Sequence, residues 1–190
     1  MRPGLRHLLL CMLLLTASSF SSPLWASATT TCTISDMGVA FGSYDPTIGT
    51  ATAANGSITV TCTPGCVLYV LVCLSGYEGV DATISLSPSS SNGLFAPRQM
   101  LGGGGQILAY NLYLDVNHTM IFGNGSSGTS DVTYCFTGVN IASCSGATYT
   151  GSPAGANSQS QSFPVYGLLP ASQNVSAGAY TDTLTATVTF

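Results

Sequence analysis

Lysine is absent from this chain, and Arg2, Arg6 and Arg98 are its only strong bases in 190 residues. Binding nucleic acid requires Lys and Arg to neutralise phosphates, so that class of partner is excluded. Charged residues make up only 5% of the chain. A surface this poor in charge suits packing against other chains or further copies. Histidine occurs at His7 and His118 alone, and no cysteine pair has the C-x2-C spacing of a zinc site. His118 lies in the polar turn "DVNHTM" with no G-x-S-x-G elsewhere, so a Ser–His–Asp site has no support. The glycines at 102–105 lack the Lys-Ser/Thr of a phosphate loop and read as a hairpin end. The acids are scattered, without the pairing that glycoside hydrolysis needs. Neither catalysis nor a cofactor is expected.

What is present begins with an address. Arg2, Arg6 and His7 precede "LLLCMLLLTA", and Ala26-Ser27-Ala28 follows. A positive head, a short apolar middle and small residues predict a secretory signal peptide over 1–28. The apolar run is too short to span a bilayer, and no later stretch could do so, so no membrane insertion is expected. Residues 29–190 then form one exported domain with Arg98 as its only strong base against seven carboxylates. Cys32, Cys62, Cys66, Cys73, Cys135 and Cys144 stay with it, and an even number outside the cytoplasm points to disulfides.

Almost every segment reads as strand plus turn. "MGVAFGSYD" runs into a Pro/Gly turn, and "NGSITVTC" places Ile58 and Val60 on one face. "VLYVLVCL" has the length and apolarity of a doubly buried strand. "DATISLS", "QILAYNLYLDV", "DVTYCF" and "SFPVYGLLP" follow, and no 3.6-residue period with caps appears. The class is all-β, an antiparallel sandwich or barrel. Residues 138–161 are Gly/Ser-rich and read as a surface excursion. The last stretch, "AYTDTLTATVTF", alternates Thr183, Thr185, Thr187 and Thr189 with Leu184, Ala186, Val188 and Phe190. An apolar-faced strand with no successor leaves unpaired backbone and an open groove, a hazard unless another strand covers it.

The ordered series "CTISDMGVAFGSYDP", "GSITVTCT", "LSG", "RQM", "LAYNLYLD", "FGNG", "FPVYGLLP" and "AGAYTDTLTATVTF" resembles the spore coat protein U domain family. That family includes subunits of archaic, Csu-type chaperone–usher pili. The resemblance covers roughly residues 32–190; at "MIFGNG" the family often has Trp, whose volume Phe122 would fill. It implies an incomplete immunoglobulin-like sandwich lacking its final strand, completed first by a periplasmic chaperone and then by a neighbouring subunit's strand. The other partner implied is an outer-membrane usher, and the destination is the cell surface. Leu184, Ala186, Val188 and Phe190 are expected on one groove wall, with Val39 and Phe41 of the first strand opposite.

Cleavage after Ala28 leaves only three threonines before Cys32, too short to fill a neighbour's groove, which favours a tip or minor subunit over the shaft. The resemblance implies a Cys32–Cys62 disulfide. Cys135–Cys144 would bridge locally, leaving Cys66 with Cys73; alternatively these two pair with Cys135 and Cys144. Arg98 is expected in a structural salt bridge. Leu94, Phe95, Met120, Ile121 and Phe122 lie near turns and, if exposed, would serve adhesion; the alternative is core packing. A self-complete coat or matrix protein, or a surface- or carbohydrate-binding module, is the other class considered.

Overall fold

A computed structural model describes residues 30–63, 65, 79–136, 149–150 and 158–190. The expected signal peptide, the run "VLYVLVCL", most of the 138–161 excursion, and Cys66, Cys73 and Cys144 lie outside the described residues. The strands are β1 (Thr31–Met37), β2 (Thr52–Thr63), β3 (Val80–Leu86), β4 (Arg98–Gly102), β5 (Ile107–Tyr113), β6 (Val132–Phe136), β7 (Tyr149–Thr150), β8 (Gln159–Leu169), β9 (Tyr180–Thr181) and β10 (Ala186–Thr189). Gly103–Gly105 form a single 3-10 turn that closes the β4–β5 hairpin. Among the described residues no helix is long and apolar enough to cross a membrane.

Two sheets face each other. One has the order β1-β2-β8-β5-β4-β9 and the other β10-β3-β6-β7. Their pairs are antiparallel apart from β6–β7, which is parallel. Period-two alternation gives each sheet an inner and an outer face. Ile58 and Val60 of β2, Phe163 and Val165 of β8, and Tyr110 and Leu112 of β5 point inward. Ala82, Ile84 and Leu86 of β3 meet them with Val132, Tyr134 and Phe136 of β6. The Tyr134 ring stands edge-on to Phe136 and Phe163 at 4.7 and 5.5 Å, joining the two layers. On the outer face, hydroxyl pairs Thr61–Ser160 and Thr63–Ser158, each 2.7 Å apart, run along the β2–β8 ladder. Cys32 and Cys62 sit directly opposite in the β1–β2 register and form a disulfide. Cys135 is also half of a disulfide.

The first strand differs from expectation. It covers "TCTISDM", and Val39 and Phe41 fall in the unladdered segment after it. The reason is Gly56 and Gly167 on the inner faces of β2 and β8. A Cβ on Gly167 would lie 2.6 Å from Val39 and 2.8 Å from Phe41, and one on Gly56 would strike the Met37 carbonyl oxygen. Those two bare positions let the chain after β1 fold over the sheet, where Val39 and Phe41 pack on the core. The last strand is also divided. Its start, β9, bonds to β4, and its end, β10, bonds to β3, so residues 180–189 pass from one sheet to the other.

Arg98 is not in a salt bridge. It is wholly buried on the inner face of β4, opposite Tyr110, and no direct ion pair joins it to an acid among the described residues. Nη1 donates to the Phe95 carbonyl at 2.8 Å, and Nη2 donates to Ser87 and Phe122 carbonyls at 3.1 and 2.8 Å. Burial pushes its pKa below the ordinary guanidinium value, which the nearby Asp182 carboxylate partly counters. The guanidinium thus ties the loop after β3 and the residue-122 turn to β4. At the same turn Phe122 is 0% exposed and takes the core-packing alternative, so it offers no surface contact.

Two outcomes follow. Gly167→Val is expected to expel Val39 or Phe41 and destabilise the fold by about 2 kcal/mol. Arg98→Met, which keeps the stem and removes the donors, should cost on the order of 3 kcal/mol because three inward carbonyls lose a charged partner. Urea unfolding checks both, as a lower midpoint at unchanged slope.

Candidate functional site

The sandwich is open along one side. Among the described residues β1 has β2 as its only neighbour in its sheet, and β10 has only β3 in the other. Each therefore presents a row of backbone N–H and C=O groups with no ladder partner among the described residues. Between these two edges lies a cavity of about 600 Å³. One wall is Ile34, Asp36 and Met37 of β1, continued by Val39 and Phe41. The other is the stretch from Tyr180 to Ala186. Core residues Ile58, Leu86, Tyr110, Leu112 and Val165 form the floor, so the slot reaches the hydrophobic interior.

The apolar groups at the rim are poorly covered. Ile34 is 40% exposed and Met37 68%, although both sit on a strand of a two-layer fold. Leu184, Ala186 and Val188 pack against the core yet are only half-buried, while the threonines between them face solvent. An alternating face normally buries its apolar side against a second layer. Among the described residues that layer is incomplete beside these positions.

One polar cluster lies in the wall. The Asp182 carboxylate accepts from the Ser90 amide at 3.1 Å, the Ser90 hydroxyl at 2.6 Å and the Tyr110 hydroxyl at 2.7 Å. Burial alone would raise its pKa, but these hydrogen bonds outweigh it and hold the carboxyl below its usual value. Burial and the same Asp182 contact push the Tyr110 phenol well above its ordinary value, so it stays a neutral donor. Phe41 meets the Tyr110 ring edge-on at 5.8 Å. The cluster thereby fixes the crossover of the last strand and the floor of the slot together.

Of the residues expected on the groove walls, Val39, Phe41, Leu184 and Ala186 line the cavity. Val188 packs against the core below it, and Phe190 is 58% exposed and stands apart. Of those expected on surface loops, Leu94 and Met120 are exposed. Phe95 is half-buried, its ring 5.6 Å from the Arg98 guanidinium, and Ile121 is half-buried as well. His118 sits in a turn held by Asp115, whose carboxylate accepts from the Thr119 and Met120 amides. Its ring lies against Tyr113, away from the groove. Sequence reasoning missed Ile34 and Asp36 because it started the first strand at Met37. The period of "TISDM" carried the signal, as did Asp182, two residues before Leu184 in the alternation.

The model of the Spore Coat Protein U domain matches residues 16–187. Protein U of Myxococcus xanthus is 30% identical over 157 residues, covering 79% of this chain and 70% of that protein. A crystal structure of the CsuC–CsuE chaperone–tip adhesion subunit pre-assembly complex, from archaic chaperone–usher Csu pili of Acinetobacter baumannii, aligns with a TM-score of 0.47 at 18% identity. That alignment spans 85% of this chain but only 40% of the other. With a family match over most of its length and a relative at this identity, the chain belongs to the Spore Coat Protein U domain family, a structural and not an enzymatic one.

Proposed function

We propose that this protein is an exported structural subunit of a chaperone–usher surface fibre, assembled by strand donation into the groove between β1 and β10. The observation that carries this is the cavity of about 600 Å³ bounded by two unladdered strand edges and floored by core residues. An extended segment laid there would pair its backbone with an edge and bury alternate side chains, the mode known as β-augmentation. A periplasmic chaperone holds the groove first, an outer-membrane usher passes the subunit on, and a neighbouring subunit replaces the chaperone strand. Residues 1–28 direct export, and residues 29–190 are the domain that is delivered.

Expressed alone in a bacterial periplasm, the chain is expected to aggregate or be degraded. Co-expression with its cognate periplasmic chaperone should recover a soluble one-to-one complex. A monodisperse, heat-stable monomer obtained without any partner would overturn the reading and favour a self-complete coat protein.

Within the fibre we assign the chain to the tip or a minor position, with a part in adhesion and biofilm formation. Leu94 and Met120 support this, as large apolar side chains exposed on loops. The double variant Leu94→Ser/Met120→Ser is expected to lower cell attachment to plastic several-fold while fibre assembly, followed by immunoblot, stays unchanged. Unaltered attachment removes the adhesive role.

A further inference from the structure

Asparagine precedes glycine three times in this chain, at Asn55-Gly56, Asn92-Gly93 and Asn124-Gly125. In such a pair the glycine nitrogen can attack the side-chain amide carbon, because no Cβ on the glycine shields it. The fold treats the three pairs differently. Asn55 and Gly56 lie in β2, laddered opposite Tyr166 and Val165 of β8, which holds their backbone extended. At the second pair the Gly93 N–H donates to the Ser89 carbonyl at 2.9 Å. The Asn92 side chain is clamped as well: Nδ2 donates to the Pro97 carbonyl and Oδ1 accepts from the Leu94 amide, each at 3.0 Å. Nucleophile and leaving group are both engaged there.

The third pair is free at both atoms. Asn124 and Gly125 are exposed on the loop that follows Phe122. Among the described residues no hydrogen bond takes the Gly125 N–H or the Asn124 Nδ2. The Asn124 Oδ1, by contrast, accepts from the Ser126 amide at 3.1 Å and from the Ser126 hydroxyl at 2.6 Å. Both donors face the oxygen on which negative charge develops when the amide carbon is attacked, as in an oxyanion hole. The closure onto Ser126 also folds the side chain back over the following backbone, which keeps the Gly125 nitrogen and Asn124 Cγ close.

We propose that Asn124 is a self-modification site: it closes a succinimide with Gly125, and the ring opens to aspartate and isoaspartate. The Gly125 nitrogen bonds to Asn124 Cγ, the Cγ–Nδ2 bond breaks, and the nitrogen's proton passes through water to the departing ammonia. Water then adds to either ring carbonyl. At Cγ it gives aspartate, and at the main-chain carbon it gives isoaspartate. Nothing is oxidised or reduced, and water is the only co-reactant. The product is a new carboxylate in a loop where a Cβ on Gly125 would already lie 3.3 Å from an Asp131 carboxylate oxygen. Arg98, the only strong base among the described residues, is wholly buried and does not answer it. Each molecule thus gains negative charge with age at one fixed place, whatever occupies the groove.

The test ages the purified full chain in heavy-oxygen water, in whichever soluble form it is obtained, alone or with a chaperone. Digestion and mass spectrometry then read each Asn-Gly pair, the label marking conversions that occurred during ageing. Enzymatic methylation by an isoaspartyl methyltransferase scores the isoaspartate. Asn124 is expected to convert about 10-fold or more faster than Asn55 or Asn92, which must first open hydrogen bonds that Asn124 does not make. Both products should appear, and the aged fraction should elute later from an anion exchanger. In urea the three rates should converge, since the dipeptide is the same. Ser126→Ala, which keeps the amide donor and removes the hydroxyl, should slow Asn124 several-fold with the melting of the chain unchanged. Equal rates at the three pairs in the folded chain would overturn the inference, as would an Asn124 that keeps its amide while the urea-unfolded chain converts. Aspartate without isoaspartate would mean direct hydrolysis and no ring. A Ser126→Ala chain converting as fast as the parent, or faster, would show that the hydroxyl restrains the side chain instead of activating it, and the assignment falls.

Discussion

Backbone hydrogen bonds at a sheet edge must be satisfied by something, and the described residues leave two edges, β1 and β10, on either side of one cavity. β1 and β10 are both terminal in their sheets, and the space between them descends to Ile58, Leu112 and Val165. In a closed sandwich the same residues would be sealed by a further strand. The hydrophobic driving force that assembles the two layers is therefore left partly unspent, and it favours any extended segment able to fill the slot. The rest of the architecture acts to keep the slot in shape.

Two devices do this from opposite sides. Gly56 and Gly167 give room for Val39 and Phe41 to turn over the inner face of the six-stranded sheet, so the β1 wall is backed by packing as well as by the Cys32–Cys62 disulfide. On the other wall, Asp182 is pinned by Ser90 and Tyr110, and Arg98 gathers three carbonyls just behind. Desolvation offsets much of what a buried cation's hydrogen bonds return, although removing it leaves three inward carbonyls without a donor. Its value lies in specifying one arrangement of loops. With the loop after β3 and the turn at Phe122 held to β4, the floor beneath the crossover has a single geometry.

Much of this was legible in the amino-acid order. Alternation in "NGSITVTC", "DATISLS" and the terminal stretch gave strands, inner faces and the all-β class, since a period of two has a direct meaning in a pleated sheet. The walls were half legible. Leu184, Ala186, Val39 and Phe41 stood out as apolar, whereas Asp36 and Asp182 were passed over because charged residues rarely point into a core. The start of β1 was misplaced for a different reason. Whether Met37–Phe41 continues as a strand depends on Gly56 and Gly167, which are 15 or more positions away, and no local pattern reports that approach. Arg98 shows the same limit. A lone arginine among acids suggests a carboxylate partner, but three backbone carbonyls from separate loops take that role, and only the tertiary fold brings them together.

The divided last strand has a mechanical consequence. Residues 180–181 are held by one sheet and 186–189 by the other, with Asp182 anchored at the crossover. Tension applied along this segment is shared by both layers, loading their ladders in shear at the same moment. Detaching the whole segment therefore requires breaking its ladders to both layers and the Asp182 anchor between them.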